Sequence, residues 1–144
     1  MGVVKAVCTS DVKGIQKTEQ PSIELKPEWG IEGDAHAGAW HRQVSLLSYE
    51  KIEEFKARGA DVVNGSFGEN IIVEGFDLKA LPIGTRFTCG DVVLELTQIG
   101  KECHAHCAIY HKMGDCIMPR EGVFCRVIEG GIITVGDRID LIKD

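Results

Sequence analysis

The sequence predicts a mainly β fold, a glycine-punctuated, barrel-like sheet with one clear helix and short helical turns. Seventeen glycines are spread through the 144 residues. The apolar runs are short and bounded by turn residues, and a single stretch has convincing helical spacing.

Taken in order, VVKAV near the start reads as a first strand and PSIEL as another, masked in part by its flanking prolines. RQVSLLS, residues 42–48, is apolar enough for a buried strand that runs into a helix start. Ser48 suits an N-cap, Tyr49, Ile52 and Phe55 recur at threes, and Gly59 supplies the stop, so a helix is expected over residues 49–58. Its other face is charged. ENIIVEG offers a strand and FDLKALPIG a loop with a Pro-Ile-Gly turn. TRFTCGDVVLELTQIG reads as a hairpin around Cys89-Gly90-Asp91, and GIITVGDRIDLI repeats that logic around Gly136-Asp137. No βαβ series, low-complexity segment or composition break is visible, so residues 1–144 read as one domain. A chain of this length buries roughly two-thirds of its unfolded surface without staples.

A net charge of −6 with Lys and Arg scattered singly gives no basic field for a polyanion, and a nucleic-acid partner is not expected. The sequence has neither a signal-like apolar run at its start nor a span of membrane length, which points to the cytoplasm and no membrane partner. Thiols are reduced there, so an even count of six cysteines does not argue for disulfides.

Three stretches carry polar residues that folding alone does not demand. In GIEGDAHAGAWHRQVSLLS, Asp34, His36, His41 and Arg42 gather ahead of a buried strand. This is either a turn-rich loop whose Asp34 bonds backbone, or a rim where Arg42 and a histidine grip an anion through the planar guanidinium fork. In NGSFGEN, residues 64–70, backbone N–H groups could cradle an anion, although the Gly-Lys-Ser/Thr ending of a P-loop is missing. In KECHAHCAIYHKMGDC, Lys101 to Cys116, three cysteines and three histidines occupy sixteen positions. Cys103, Cys107, His111 and Cys116 could hold structural zinc, but the cluster is too compact for two separate knuckles. A reactive thiol fits better: Cys103 lies between Lys101 and His104, Cys107 follows His106, and Arg120 and Arg126 stand downstream. Nearby cations lower a thiol pKa, and soft thiolate suits a transition metal. Cys8, Cys89 and Cys125 sit in or beside apolar strands and are expected to pack as small hydrophobes.

Five motifs in this order, GIEGDAHAG with HRQVSLLS, FGENI, TQIGKECHAHCAIY, GDCIMPREGVFCRVIEGG and a final GD, resemble the MOSC domain. That domain lies at the C-terminus of molybdenum-cofactor sulfurases and also occurs as small stand-alone bacterial proteins. The resemblance runs from about Val3 to Ile142. It implies a β-barrel-like fold whose pocket cysteine carries sulfur as a persulfide or ligates molybdenum. Cys103 is the best match for the working thiol and metal ligand, with Cys107 as its rival. Asp34, His36, Arg42, His104 and Arg120 become the residues facing a pterin-type cofactor, molybdopterin, with Arg120 of the PREG motif set to meet its phosphate. Sulfurases also carry a pyridoxal-phosphate domain, for which this chain has no room, so sulfur would come from a donor protein. The alternatives are a molybdenum-dependent reductase of N-hydroxylated compounds, fed by a reductase partner, and a zinc-stabilised module.

Overall fold

The computed structural model describes residues 2–11, 16–35, 37–38, 40, 43–60, 62–100 and 122–142. Eleven strands and one α-helix are formed among them: β1 (Gly2–Thr9), β2 (Thr18–Gln20), β3 (Ser22–Lys26), β4 (Gly30–Ile31), β5 (Val44–Ser48), α1 (Tyr49–Ala57), β6 (Ile71–Glu74), β7 (Arg86–Cys89), β8 (Val92–Ile99), β9 (Val123–Glu129), β10 (Gly131–Thr134) and β11 (Arg138–Leu141). A 3-10 turn at Leu78–Ala80 follows β6. No helix among the described residues is long and apolar enough to cross a membrane.

Seven strands close on themselves in the order β11-β7-β8-β9-β5-β6-β1, with β1 pairing back to β11, and β2 adds to the outside of β1. Closure removes the free edges that an open sheet would expose. A second, three-stranded sheet runs β10-β3-β4. Alternation along the strands sorts side chains by face. Val92, Leu94 and Leu96 of β8 and Val123, Cys125 and Val127 of β9 enter one buried cluster, to which the smaller sheet adds Ile23, Leu25, Ile31 and Ile133. In β1 the pairing with β6 shifts between Val4 and Ala6. That bulge lets Val4 and Val7 share this cluster while Ala6 and Cys8 belong to another.

The second cluster lies under α1, where Ala6, Cys8, Leu47, Ile72 and Phe124 from the strands meet Ile52, Phe55, Val62 and Phe67. The helix forms where expected. The Ser48 hydroxyl accepts from the Lys51 amide at 3.4 Å, Ile52 and Phe55 are buried, and Gly59 follows the end with φ 103°. The helix bridges β5 to β6, which pair in parallel, Leu46 opposite Ile71. This single parallel crossover was not anticipated, because Ile71–Glu74 is too short to reveal its partner.

The Cys89-Gly90-Asp91 hairpin forms, Cys89 pairing with Val92 across a turn in which Gly90 has φ 59°. The expected twin around Gly136-Asp137 does not. The Asp137 carboxylate accepts from the Thr134 amide at 2.8 Å and makes the turn, but the flanking strands part: β10 pairs with β3, and β11 pairs with β7 and β1. Turn chemistry is local, whereas the pairing of these strands is decided by distant ones.

Candidate functional site

The structure brings the first two polar stretches together through a residue that neither contains. Lys17 is 1% exposed, and its ammonium bonds the Asp34 carboxylate at 2.7 Å. The same Asp34 oxygen accepts from the Ser10 amide at 3.1 Å, and the Ser10 carbonyl accepts from the Ala35 amide at 2.7 Å. Asp34 therefore anchors the GDAH turn to the end of β1. The Lys17 amide donates to the Gly65 carbonyl at 3.0 Å. Gly65 has φ 93°, and a Cβ there would collide with the Lys17 carbonyl, so this glycine serves a chain crossing.

The amides of the NGSFGEN loop are turned inward. Ser66 donates to the Val63 carbonyl at 3.0 Å, Gly68 to the Gly65 carbonyl at 3.0 Å, and Phe67 to the Glu69 carboxylate at 3.0 Å. The expected anion cradle is thus corrected: these amides are spent on the loop's own carbonyls and its own carboxylate. Asn70 stitches three strands. Its side-chain carbonyl accepts from the Ser45 amide at 3.0 Å, its NH₂ donates to the Cys8 carbonyl at 3.1 Å, and its backbone carbonyl accepts from the Cys8 amide at 2.7 Å. Glu69 is fully buried, and its second carboxylate oxygen has no hydrogen-bond partner among the described residues. Burial pushes its carboxyl up to about 7, against donation from the loop amides and the field of Lys17.

The RQV motif is tied to β9 by Gln43, 1% exposed, whose side-chain carbonyl accepts from the Val127 amide at 2.9 Å. Lys17, Glu69 and Gln43 were not singled out by sequence reasoning. Only Glu69 and Gln43 had a signal there, as members of the FGEN and RQV motifs.

The three described cysteines are chemically quiet. Burial drives the Cys8 thiol up to about 12, helped by the fields of Glu69 and Glu19, and the Cys89 thiol up to about 11, helped by Asp137 and Asp140. Cys125 is raised further by complete burial and then by Glu95. Thiolate is scarce at neutral pH in such surroundings. Among the described residues Arg126 is paired with carboxylates. It lies on an exposed ion network, bonding Glu95 at 3.0 Å and Glu28 at 3.0 Å, while Arg86 holds the other Glu95 oxygen at 3.1 Å. The two arginines hold the Glu95 carboxyl below its usual range.

The neck of the third stretch is closed by the Gly100 amide, which donates to the Gly122 carbonyl at 2.6 Å, and by the Gln98 side chain on the Gly100 carbonyl at 2.8 Å. Cys103, His104, Cys107, His111, Cys116 and Arg120, together with His36, His41 and Arg42, lie outside the described residues. Of the expected cofactor-facing set, Asp34 alone is described. Among the described residues no three His, Cys, Asp or Glu side chains gather as a metal site.

Comparison with known proteins agrees with the architecture. The YuaD protein of Bacillus subtilis superimposes with a TM-score of 0.81 at 20% identity, over 98% of this chain and 96% of that one. YiiM of Escherichia coli gives 0.66 at 18% identity over 99% and 70% of the two chains. YiiM of Geobacillus stearothermophilus gives 0.68 at 19% over 99% and 73%. No curated relative matches the sequence. The model of the MOSC domain matches residues 33–140, which span Asp34, the FGEN loop, the Gly100–Gly122 neck and β9. The chain belongs to the MOSC domain family.

Proposed function

We propose that this chain is a single MOSC domain that binds a molybdenum cofactor of the molybdopterin type and offers it a cysteine thiolate from residues 101–121, as metal ligand or as carrier of sulfur. The observation that carries the reading is the burial of Cys8, Cys89 and Cys125, whose thiols are all pushed up. A reactive thiol then falls to Cys103, Cys107 or Cys116, and the family motif favours Cys103, with Cys107 as its rival.

The donor set fits the group. Thiolate is a soft ligand suited to molybdenum, and arginine forks suit a pterin phosphate. His36, Arg42, His104 and Arg120 would face the cofactor, while Asp34, held by Lys17 and Ser10, fixes the turn that leads to His36 and Arg42. When bound, the cofactor supplies a redox-active metal with affinity for sulfur. The protein's own step is nucleophilic. The thiolate attacks the outer sulfur of a donor protein's persulfide, forms its own S–S bond, and releases the donor's thiolate. That chemistry requires a compartment where thiols stay reduced, which suits the cytoplasm.

Intact mass and metal content of protein purified anaerobically without reductant test this, beside Cys103→Ala and Cys107→Ala. The expected result is bound molybdenum, or a gain of about 32 Da for one added sulfur, lost in a single one of the two variants. Stoichiometric zinc, with neither sulfur nor molybdenum, would replace this reading with a structural metal site.

A further inference from the structure

Glu69 has no place in cofactor binding as proposed above, yet it is the least comfortable side chain among the described residues. It is 0% exposed, one oxygen accepts from the Phe67 amide at 3.0 Å, and the other has no hydrogen-bond partner among the described residues. A buried carboxylate oxygen without a donor is costly. The cation whose field reaches it, Lys17, is committed to Asp34 at 2.7 Å. Among the described residues, one buried ammonium thus faces two buried carboxylates.

The groups around it offer no second cation among the described residues. β1 presents the Cys8 thiol, and β2 presents Glu19, whose field adds to that of Glu69 on Cys8. Asp34 stands beyond β4 and Ser45 on β5. From α1 the packing side chains are Ile52 and Phe55, with the Arg58 guanidinium over the Phe55 ring at 5.1 Å. The same carboxyl also has mechanical leverage. It holds the amide of Phe67, whose ring packs on Phe55 of α1 at 5.8 Å between centroids. Phe67 and Val62 share the buried cluster that covers Cys8.

We propose that Glu69 is a proton-operated latch on the 62–70 loop: protonated, it keeps the loop closed over the α1 face of the barrel, and ionised, it draws the loop open to hydrate its charge. The burial that lifts this carboxyl to about 7 places the transition in the physiological range. The opening is local, exposes Cys8, leaves Cys125 enclosed within the barrel, and does not depend on a bound cofactor.

Residue-resolved labelling by a small thiol reagent, read by peptide mass from pH 5 to 8, tests the latch in the full chain and in Glu69→Gln. The glutamine keeps an acceptor for the Phe67 amide. The ratio of Cys8 labelling in the parent to that in Glu69→Gln should climb about tenfold per pH unit up to about pH 7 and level off above it. At pH 8, Cys8 should label at least about tenfold faster than Cys125, as local opening requires. A flat ratio, or Cys8 and Cys125 labelling in step, overturns the proposal. Should Glu69→Gln fail to fold, carbon-13 titration of the parent's glutamate carboxyls takes its place beside the Cys8 to Cys125 comparison. A midpoint at or above about 6 supports the latch, and midpoints all below that value overturn it.

Discussion

Two buried carboxylates, Asp34 and Glu69, have opposite effects on stability. Asp34 holds the Lys17 ammonium at 2.7 Å with both side chains out of solvent. Removing one member of such a pair strands the other charge, so Lys17→Met should cost about 3–5 kcal/mol in urea unfolding. The double variant Lys17→Met/Asp34→Leu should recover most of that loss. Glu69 works the other way. Its folded value of about 7 lies above the ordinary 4.5, so the folded chain holds the extra proton between those limits. The stability contributed by Glu69 is therefore full below about pH 4.5 and falls as the pH rises to about 7, by roughly 3 kcal/mol at 1.4 kcal/mol per unit. Glu69→Gln should remove that slope, as urea midpoints taken across the window will show. Asp34 was legible in the sequence because it sits in a turn motif that invites attention. Lys17 was not, because a lone lysine reads as solvated until a partner seventeen positions away is folded against it.

At the scale of the element, Gly65 and Gly84 make a matched pair. Both have φ 93°, but a Cβ at Gly84 meets open space, whereas at Gly65 it runs into the Lys17 carbonyl. Gly84→Ala should cost only the left-handed strain, about 1–2 kcal/mol. Gly65→Ala should cost clearly more and shift the thermal midpoint further, because backbone has to move. Helix α1 was legible to within one residue, since its cap, its buried Ile52 and Phe55, and its glycine stop are all local signals. The Gly136-Asp137 turn was legible as a turn and misleading as a hairpin. The same residues serve either arrangement, and β11 is claimed by β7 and β1 from far along the chain. Short β2 and β4 left no pattern long enough to read.

For the whole molecule, the barrel was legible as a class from its glycine punctuation and short apolar runs. Its closure through Gly2–Thr9 and Arg138–Leu141 was not, because the two ends of the chain carry no mark of pairing. The barrel also partitions the six cysteines. Cys8, Cys89 and Cys125 are built into its packing, while Cys103, Cys107 and Cys116 belong to residues 101–121, outside the described residues. Local composition singles out that stretch as the candidate for reactive chemistry, and the MOSC match covers all of it. The most direct test is a brief native-state alkylation of the reduced protein at pH 7, with the modified cysteines located by peptide mass. Rapid modification of Cys103 or Cys107, with Cys89 and Cys125 protected until denaturant is added and Cys8 modified far more slowly through loop opening, is the result expected. Fast modification of any of those three, with Cys103 and Cys107 both inert, would contradict the assignment of the working thiol to residues 101–121.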